Sequence, residues 1–193
     1  MRRERSIEPD YFEALYRNKG DPWDFETSPY EHAKYDHTLA SLPHDRCSSV
    51  LEVGCANGVL TERLAARCDR LLSVDVSATA LAAAARRCAA LPQVAFQQLI
   101  LPAEAPDGPF NLILLSEVIY YWDSADLGKM ATFLRRVIPS RGHVLLVHWT
   151  GETDYPKSGE AAVGELRTLL GKAIIVVQED RRDKYRLDLW QRS

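Results

Sequence analysis

Short apolar runs alternate with amphipathic stretches along most of the chain, and this alternation predicts strands separated by helices. The runs typical of buried strands are SSVLEVG, DRLLSVDVS, QVAFQQLI, FNLILLSEV and GHVLLVHWT. Helical periodicity marks most of the stretches between them, with Ser77 suited to cap one helix and Asp123 or Ser124 another. Near the end of the chain, AIIVVQED and KYRLDLWQR flank a short charged link and predict a hairpin.

This order of elements predicts an α/β fold, namely a doubly wound, Rossmann-like sheet with helices on both faces. We expect seven strands, mostly parallel, with one antiparallel strand from the C-terminal hairpin. Two further helices are predicted at residues 8–19 and 29–42, before the first strand. The prediction is therefore a single domain over residues 1–193, with a helical lid at 1–45 and a Rossmann-like core at 46–193.

Composition narrows the classes of partner that we expect. The chain has 193 residues, and its formal net charge of −3 provides no basic field for nucleic acid. No apolar run approaches the ~18 residues of a membrane span, and the start MRRERSIEPDYF lacks the apolar region of a signal peptide. The four cysteines form no C-x-x-C motif, so we expect no metal site. Without a signal peptide or a membrane span, we expect a cytoplasmic protein.

The first strand of the predicted core leads into the small-residue loop LEVGCANG, which resembles a nucleotide-binding turn. Gly54 allows a tight turn, and Gly58 allows the following helix to pack closely. Ala56 stands where a dinucleotide site favours a glycine for its pyrophosphate. Asp75 ends the second strand about 20 residues further on, where a carboxylate can accept hydrogen bonds from a ribose diol. The pattern predicts a nucleoside cofactor.

Glu52 indicates which nucleoside cofactor to expect, because it places a carboxylate two residues before Gly54. A carboxylate repels a pyrophosphate but attracts a cationic ligand. S-adenosylmethionine carries a sulfonium, an ammonium and no phosphate, so we expect it as the cofactor and S-adenosylhomocysteine as the product.

The segments LEVGCANGVLTERLA, LLSVDVS and PFNLILLSEVIYYW resemble class I S-adenosylmethionine-dependent methyltransferases, over nearly the whole chain. Together with LEVGCANG and SEVIYYW, the segment DPWDFETSPYEHAKYDHTL is similar to the NodS-like family, whose namesake N-methylates a deacetylated amino sugar of a chitooligosaccharide. The resemblance implies that the glycine loop lines the methionine part and that N-terminal helices close over the cofactor. Lys34 or Tyr35 would then reach the cofactor carboxylate or the substrate, unless the aromatic side chains of these helices only dock them on the core.

Counting from these motifs, the predicted cofactor-binding residues are Trp23, Tyr30, Glu52, Gly54, Cys55, Ala56, Gly58, Asp75, Val76 and Ser116. The superfamily often has an acid after the third strand that accepts from the adenine amine. The corresponding position here is Ile100, and the nearest acid is Glu104. We expect adenine to be held by backbone groups and apolar packing, or by Glu104.

The fourth and fifth strands end in the residues predicted for catalysis. Glu117 follows the fourth strand, where it can bind an ammonium or take its proton. His148 near the end of the fifth strand is either a general base or a hydrogen-bonded core histidine. The predicted acceptor-binding residues, for which packing is the alternative, are Tyr120, Tyr121, Trp149 and Asp154.

The leading function is N-methylation of an amine on an amino sugar or a related small molecule, by a monomer or homodimer. O-methylation of a hydroxyl with His148 as base is the second hypothesis. A protein that binds S-adenosylmethionine without catalysis is the third. A nicotinamide-dependent dehydrogenase is the fourth, and most remote.

Overall fold

The structure is a computed structural model, which describes residues 2–193. The helices are α1 (Pro9–Asn18), α2 (Pro29–Ala40), α3 (Val59–Ala65), α4 (Ala78–Arg87), α5 (Ser124–Val137) and α6 (Gly159–Leu170). The strands are β1 (Val50–Val53), β2 (Leu71–Asp75), β3 (Val94–Gln98), β4 (Leu112–Ser116), β5 (His143–Trp149), β6 (Ile174–Arg181) and β7 (Tyr185–Arg192). Two short 3-10 helices lie at Ile119–Tyr121 and Gly171–Ala173.

The strand order confirms the predicted fold class. The sheet has seven strands in the order β3-β2-β1-β4-β5-β7-β6. β1 pairs in parallel with β2, as do β2 with β3 and β4 with β5. The C-terminal hairpin brings in β7, which is antiparallel to both β5 and β6. The predicted α/β sheet with one antiparallel strand from the hairpin is therefore correct.

The contacts within the chain define two compact units. One unit comprises residues 8–99, and the other comprises residues up to 7 together with 100–193. The predicted division into a lid at 1–45 and a core at 46–193 stays a prediction.

The unit of residues 8–99 contains α1 to α4 and the parallel strands β1 to β3. All four residues of β1 are buried, which explains its continuous apolar character apart from Glu52. The register places Glu52 directly opposite Ser73 of β2. The Ser77 hydroxyl accepts a hydrogen bond from the N–H of Ala80, which confirms the predicted cap of α4.

The unit that includes residues 100–193 is built on β4, β5, β7 and β6. Leu112 to Leu115 of β4 are fully buried, and so is Trp190 of β7. Asp123 caps α5 by accepting from the backbone N–H groups of Ala125 and Asp126, so the structure favours Asp123 over the alternative Ser124.

No helix in the described part of the chain combines the length and apolar character needed to cross a membrane. Among residues 2–193, no group of three or more histidine, cysteine or acidic side chains could hold a metal ion. The four cysteines are buried free thiols.

Candidate active site

The glycine loop at residues 54–58 has an unusual backbone. Gly54, Ala56 and Gly58 have φ angles of 79°, 51° and 82°, all in the left-handed region. Glycine adopts this region without steric cost, whereas alanine there is strained by about 1 kcal/mol. A Cβ atom on Gly58 would lie 2.8 Å from Cα of Ala84 in α4. Gly58 is therefore required both by its conformation and by the close approach of α4, whereas the sequence predicted close packing of the helix that follows it.

Asp75 fastens this loop to the end of β2. One carboxylate oxygen accepts a hydrogen bond from the N–H of Ala56 at 2.9 Å, and the other accepts from the N–H of Ser77 at 2.9 Å. Burial raises the pKa of Asp75, although these backbone donors oppose the shift. A carboxylate has about four acceptor sites, so two backbone bonds leave capacity for a ribose diol.

Glu52 lies inside the unit, where its side chain is 1% exposed. One of its oxygens accepts from the hydroxyl groups of Thr61 and Ser73, each at 2.7 Å. Burial raises the pKa of Glu52 to about 7, and the charge of Asp75 adds to the shift, while the two hydroxyl groups oppose it. Sequence reasoning missed Thr61 and Ser73 as partners, although the parallel register of β1 and β2 places Ser73 beside Glu52.

The other cofactor-binding predictions in this unit fall on or next to the loop and β2. Cys55 is buried, and burial raises the pKa of its thiol well above the usual range, so it remains protonated. The carbonyl of Val76 accepts a hydrogen bond from the side-chain amide of Gln98 at 2.9 Å. Cofactor binding by Cys55 and Val76 stays a prediction.

The aromatic residues predicted to cover the cofactor pack within the same unit. The ring of Trp23 lies 5.7 Å from Tyr16 and 5.6 Å from Phe25. The Nζ atom of Lys34 lies 5.3 Å from the centre of the Tyr30 ring and 3.0 Å from the Glu31 carboxylate. These contacts all lie among residues 16–34, so both the covering role of Trp23 and Tyr30 and the alternative of docking on the core stay predictions.

The polar groups of this unit fit S-adenosylmethionine better than a dinucleotide. Glu52 and Asp75 are buried acids that influence each other electrostatically. Glu52 lies two residues before Gly54, and Asp75 accepts a hydrogen bond from Ala56 within the loop. In their ionised forms these carboxylates would repel a pyrophosphate and favour an ammonium or a sulfonium. Asn57 adds an acceptor in the loop: it is 2% exposed, and its Oδ1 has no partner within the described chain.

Glu104 interacts with the position at which the superfamily often has an adenine-binding acid. Its carboxylate accepts from the N–H of Ile100 at 2.9 Å, and its own N–H donates to the Ile100 carbonyl at 2.8 Å. Glu104 therefore folds back beside Ile100, which is 43% exposed. Selection of adenine by Glu104 stays a prediction.

Glu117 follows β4 in a strained conformation within the other unit. Its φ angle is 56°, which is uncommon for a residue with a long side chain. One carboxylate oxygen accepts from the N–H of Trp149 at 2.7 Å and from the Tyr120 hydroxyl at 2.8 Å. Strained residues held by several partners cluster at functional sites, and Glu117 has this character. Ser116, the preceding residue, ends β4 and is partly buried.

Three tyrosines form an aromatic cluster next to Glu117. Tyr120 and Tyr155 stack with their ring centres 5.6 Å apart, and Tyr121 meets both rings edge-on at 4.6 Å. Burial raises the pKa of Tyr120 and Tyr121 well above the usual range, so both phenols remain neutral donors. The stacking of Tyr155 on Tyr120 joins residues far apart in the sequence, so no local pattern predicts it.

His148 is completely buried. Its Nε2 atom accepts a hydrogen bond from the N–H of Ile119 at 3.3 Å, and its ring meets Tyr120 edge-on at 5.6 Å. A Cβ atom on Gly159, at the start of α6, would lie 3.3 Å from the His148 side chain. Because the Nε2 lone pair already serves a backbone donor, these contacts support the core-histidine alternative.

Trp149 and Asp154 flank the loop that follows β5. Trp149 donates its N–H to Glu117, and the Nζ atom of Lys184 lies 6.0 Å from its ring. Asp154 is exposed and pairs with Arg3 at 3.4 Å. Arg2 and Arg3 therefore contact this loop, which sequence reasoning missed because a short polar segment has no periodic pattern.

Glu13 was also missed by sequence reasoning. Its carboxylate accepts from the hydroxyl groups of Ser77 and Thr79, each at 2.7 Å, at the start of α4. These bonds lower the pKa of Glu13 to about 2. The only signal in the sequence is an acid on the polar side of α1, which is too common to identify a tertiary contact.

A family model and several relatives match the chain. Residues 13–140 match the family described as Nodulation protein S. Nodulation protein S of Rhizobium tropici is 32% identical over 140 residues, which cover 70% of this chain and 59% of the relative. The protein of the same name from Bradyrhizobium diazoefficiens is 33% identical over 119 residues, covering 61% of this chain and 56% of the relative. The chain thus spans little more than half the length of these curated relatives.

Solved structures share the fold. The N-methyltransferase NodS of Bradyrhizobium japonicum, in complex with S-adenosylhomocysteine, superimposes with a TM-score of 0.82 at 23% identity, covering 95% of this chain and 97% of that one. A candidate methyltransferase from Pseudomonas syringae is 35% identical with a TM-score of 0.74, covering 84% of this chain and 99% of that one. The family model covers more than half of the sequence, and the fold agrees. The chain therefore belongs to the NodS family of S-adenosylmethionine-dependent methyltransferases.

Proposed function

We propose that this protein N-methylates an amine on an amino sugar or a related small molecule. The family and fold support methyl transfer from S-adenosylmethionine, whose sulfonium supplies an electrophilic methyl group. Neither the family nor the fold identifies the methyl acceptor of this chain, so the amine is the proposed element. The observation that carries the proposal is the carboxylate of Glu117, which accepts two hydrogen bonds and belongs to a residue with a strained backbone.

Glu117 has the chemistry that an amine acceptor requires. An amine is mostly protonated near neutral pH, and its nitrogen must lose that proton before it can attack a methyl group. A carboxylate attracts the ammonium and can take the proton as the nitrogen lone pair becomes available. The bonds from Trp149 and Tyr120 hold the carboxylate in one orientation, so that this alignment costs little entropy during the reaction.

The tyrosine cluster supports an acceptor that combines a cationic group with an apolar face. Tyrosine rings attract cations through their faces and pack against the C–H groups of a sugar ring. Because Tyr120 donates to Glu117, its ring orientation is linked to that of the carboxylate. We expect Tyr121 and Tyr155, which are partly exposed, to provide the contact area.

O-methylation has less support because it depends on His148 as the base. Its Nε2 atom accepts from a backbone N–H, and the side chain is fully buried. A hydroxyl acceptor would require a base of this type, since a carboxylate is a weak base toward an alcohol. A monomer or a homodimer is compatible with the proposal.

The test is incubation of the purified protein with S-adenosylmethionine and matched acceptors, followed by mass spectrometry. A chitooligosaccharide with one free amine is compared with its fully N-acetylated counterpart. We expect a gain of one methyl group on the free amine and no change in the acetylated sugar. Equal methylation of both sugars would place the methyl on oxygen and contradict the proposal. Binding of S-adenosylhomocysteine without transfer to amines or hydroxyls would favour the non-catalytic alternative.

A further inference from the structure

Arg87, in the last turn of α4, contacts three segments that are far from it in the sequence, and its guanidinium lies 3.7 Å from the Glu62 carboxylate of α3. Its Nε donates to the backbone carbonyl of Asn57 at 3.1 Å, within the glycine loop. The same guanidinium forms an ion pair with Glu26, which belongs to the connection between α1 and α2. The side-chain amide of Asn57 also lies 3.5 Å from the Glu26 carboxylate. We call Glu26, Asn57 and Arg87 the clasp.

The clasp joins the glycine loop to the connecting segment, which we define as residues 20–28. This segment carries Trp23, and its own backbone is ordered by short-range bonds: Glu26 donates its N–H to Asp21 at 2.9 Å. The Glu26 carbonyl is also hydrogen-bonded to His32 of α2 at 3.0 Å. The Glu26 side chain therefore connects the segment to Arg87, and the Glu26 carbonyl connects it to α2.

The same face of α4 supports the loop at a second point. Ala84, one turn before Arg87, lies so close to Gly58 that no side chain fits between them. Residues three apart on a helix lie on the same face, so Ala84 and Arg87 form one surface against residues 57 and 58. The loop is thus fixed by packing at Gly58 and by charge-assisted bonding at Asn57.

We propose that Arg87 is a positioning residue for cofactor binding. It holds the connecting segment to the glycine loop through its contacts with Glu26 and the Asn57 carbonyl. S-adenosylmethionine binding requires the loop to keep its three left-handed residues, and Arg87 restrains the carbonyl between two of them. Closure of the connecting segment and order in the loop are then linked. The Arg87–Glu26 pair is partly exposed, so added salt weakens the link.

This inference depends on residues 54–58 binding the cofactor, and not on the identity of the methyl acceptor. Binding of S-adenosylhomocysteine to the unmodified protein tests that condition separately, by calorimetry and without turnover. If the unmodified protein binds the product but methylates no amine, the proposed function fails while the clasp remains testable.

The experiment is a double-mutant cycle with Glu26→Gln, Arg87→Gln and the two combined. We expect each single variant to weaken S-adenosylhomocysteine binding by about fivefold, which is typical of a partly exposed ion pair with a supporting hydrogen bond. The double variant should lose no more than Arg87→Gln alone, because the clasp is already open. Arg87→Lys should recover part of the affinity through its charge.

The matched control is Asp69→Asn, which breaks the exposed Arg46–Asp69 pair of the same unit. We expect unchanged affinity in this variant. Chymotrypsin cleavage after Trp23 or Phe25, with and without S-adenosylhomocysteine, gives a second readout: product should protect the unmodified protein more than Glu26→Gln. Unchanged affinity in the clasp variants, additive losses in the cycle, or an equal loss in Asp69→Asn would each overturn the proposal.

Discussion

The carboxylate of Asp75 accepts a hydrogen bond from the backbone N–H of Ala56 at 2.9 Å. Ala56 is the alanine that makes the glycine loop differ from a dinucleotide-binding turn, and it adopts a left-handed conformation with a φ angle of 51°. The acid at the end of β2 therefore stabilises a strained loop as well as offering acceptors to a ligand. We therefore predict that this one residue links the conformation of the loop to the binding of the cofactor.

We expect Asp75→Ala to weaken S-adenosylhomocysteine binding by roughly tenfold to a hundredfold, the loss of one or two buried hydrogen bonds to a charged group. Isothermal titration calorimetry measures the effect. The matched control is Asp69→Asn, at an exposed acid of the same unit. Unchanged affinity in Asp75→Ala would remove the ribose-binding role.

Glu117→Gln should lower kcat far more than it changes the affinity for S-adenosylhomocysteine. The amide retains an oxygen that accepts from Trp149 but cannot take a proton from an amine, and loss of such a group typically costs about 10²-fold or more. Single-turnover kinetics with the free-amine sugar, together with calorimetry, separate the two quantities. Equal losses in both would move Glu117 into the cofactor-binding set.

Tyr120→Phe removes one of the two donors to Glu117 and keeps the aromatic ring. We expect a smaller fall in kcat than in Glu117→Gln, because the Trp149 N–H still orients the carboxylate. A matched His148→Gln substitution should act mainly by lowering the thermal unfolding temperature. A pH–rate profile that loses a limb in His148→Gln, without a comparable loss of stability, would instead support His148 as a base.

Glu52 should make stability depend on pH. Its pKa is raised from 4.5 to about 7 in the folded protein, chiefly by burial. Between these values the unfolded chain releases the proton while the folded protein retains it, so the free energy of unfolding falls as pH rises, by up to ~1.4 kcal/mol per pH unit. Urea titrations should show this fall in the unmodified protein and a weaker one in Glu52→Gln, which has no proton to lose.

The same carboxylate should make product binding depend on pH if it faces the cofactor ammonium. A cationic ligand favours ionised Glu52, so the affinity for S-adenosylhomocysteine should rise as pH increases through about 7, the pKa of Glu52. Calorimetry across this range, in the unmodified protein and in Glu52→Gln, tests the role. Parallel pH profiles for the two proteins would show that Glu52 has only a structural function.

Gly58→Ala should destabilise the fold. The new methyl group would lie 2.8 Å from Cα of Ala84, and the φ angle of 82° disfavours alanine, so we expect a loss of about 1–3 kcal/mol. Gly128→Ala is the matched control, because this glycine lies within α5 with no atom within 4 Å of the added Cβ. That substitution should stabilise by up to ~1 kcal/mol, as alanine favours a helix.

The sequence by itself determined the order of strands and helices, the positions of the glycine loop and Asp75, and the antiparallel hairpin. These features follow from local patterns: the periodicity of apolar residues, cap residues such as Ser77, and glycines at left-handed positions. The predicted helix boundaries extend beyond the observed ones by one to a few residues, since the last turn of a helix carries no distinct sequence signal.

Only the tertiary structure decided the partners of each polar side chain. Glu52 meets Thr61 and Ser73, Glu13 meets the start of α4, and Nε2 of His148 meets a backbone N–H. A buried polar group must find a hydrogen-bond partner, but many residues in a sequence qualify and packing selects among them. The physical reason is that these contacts join segments distant in the chain, so that no local pattern records them.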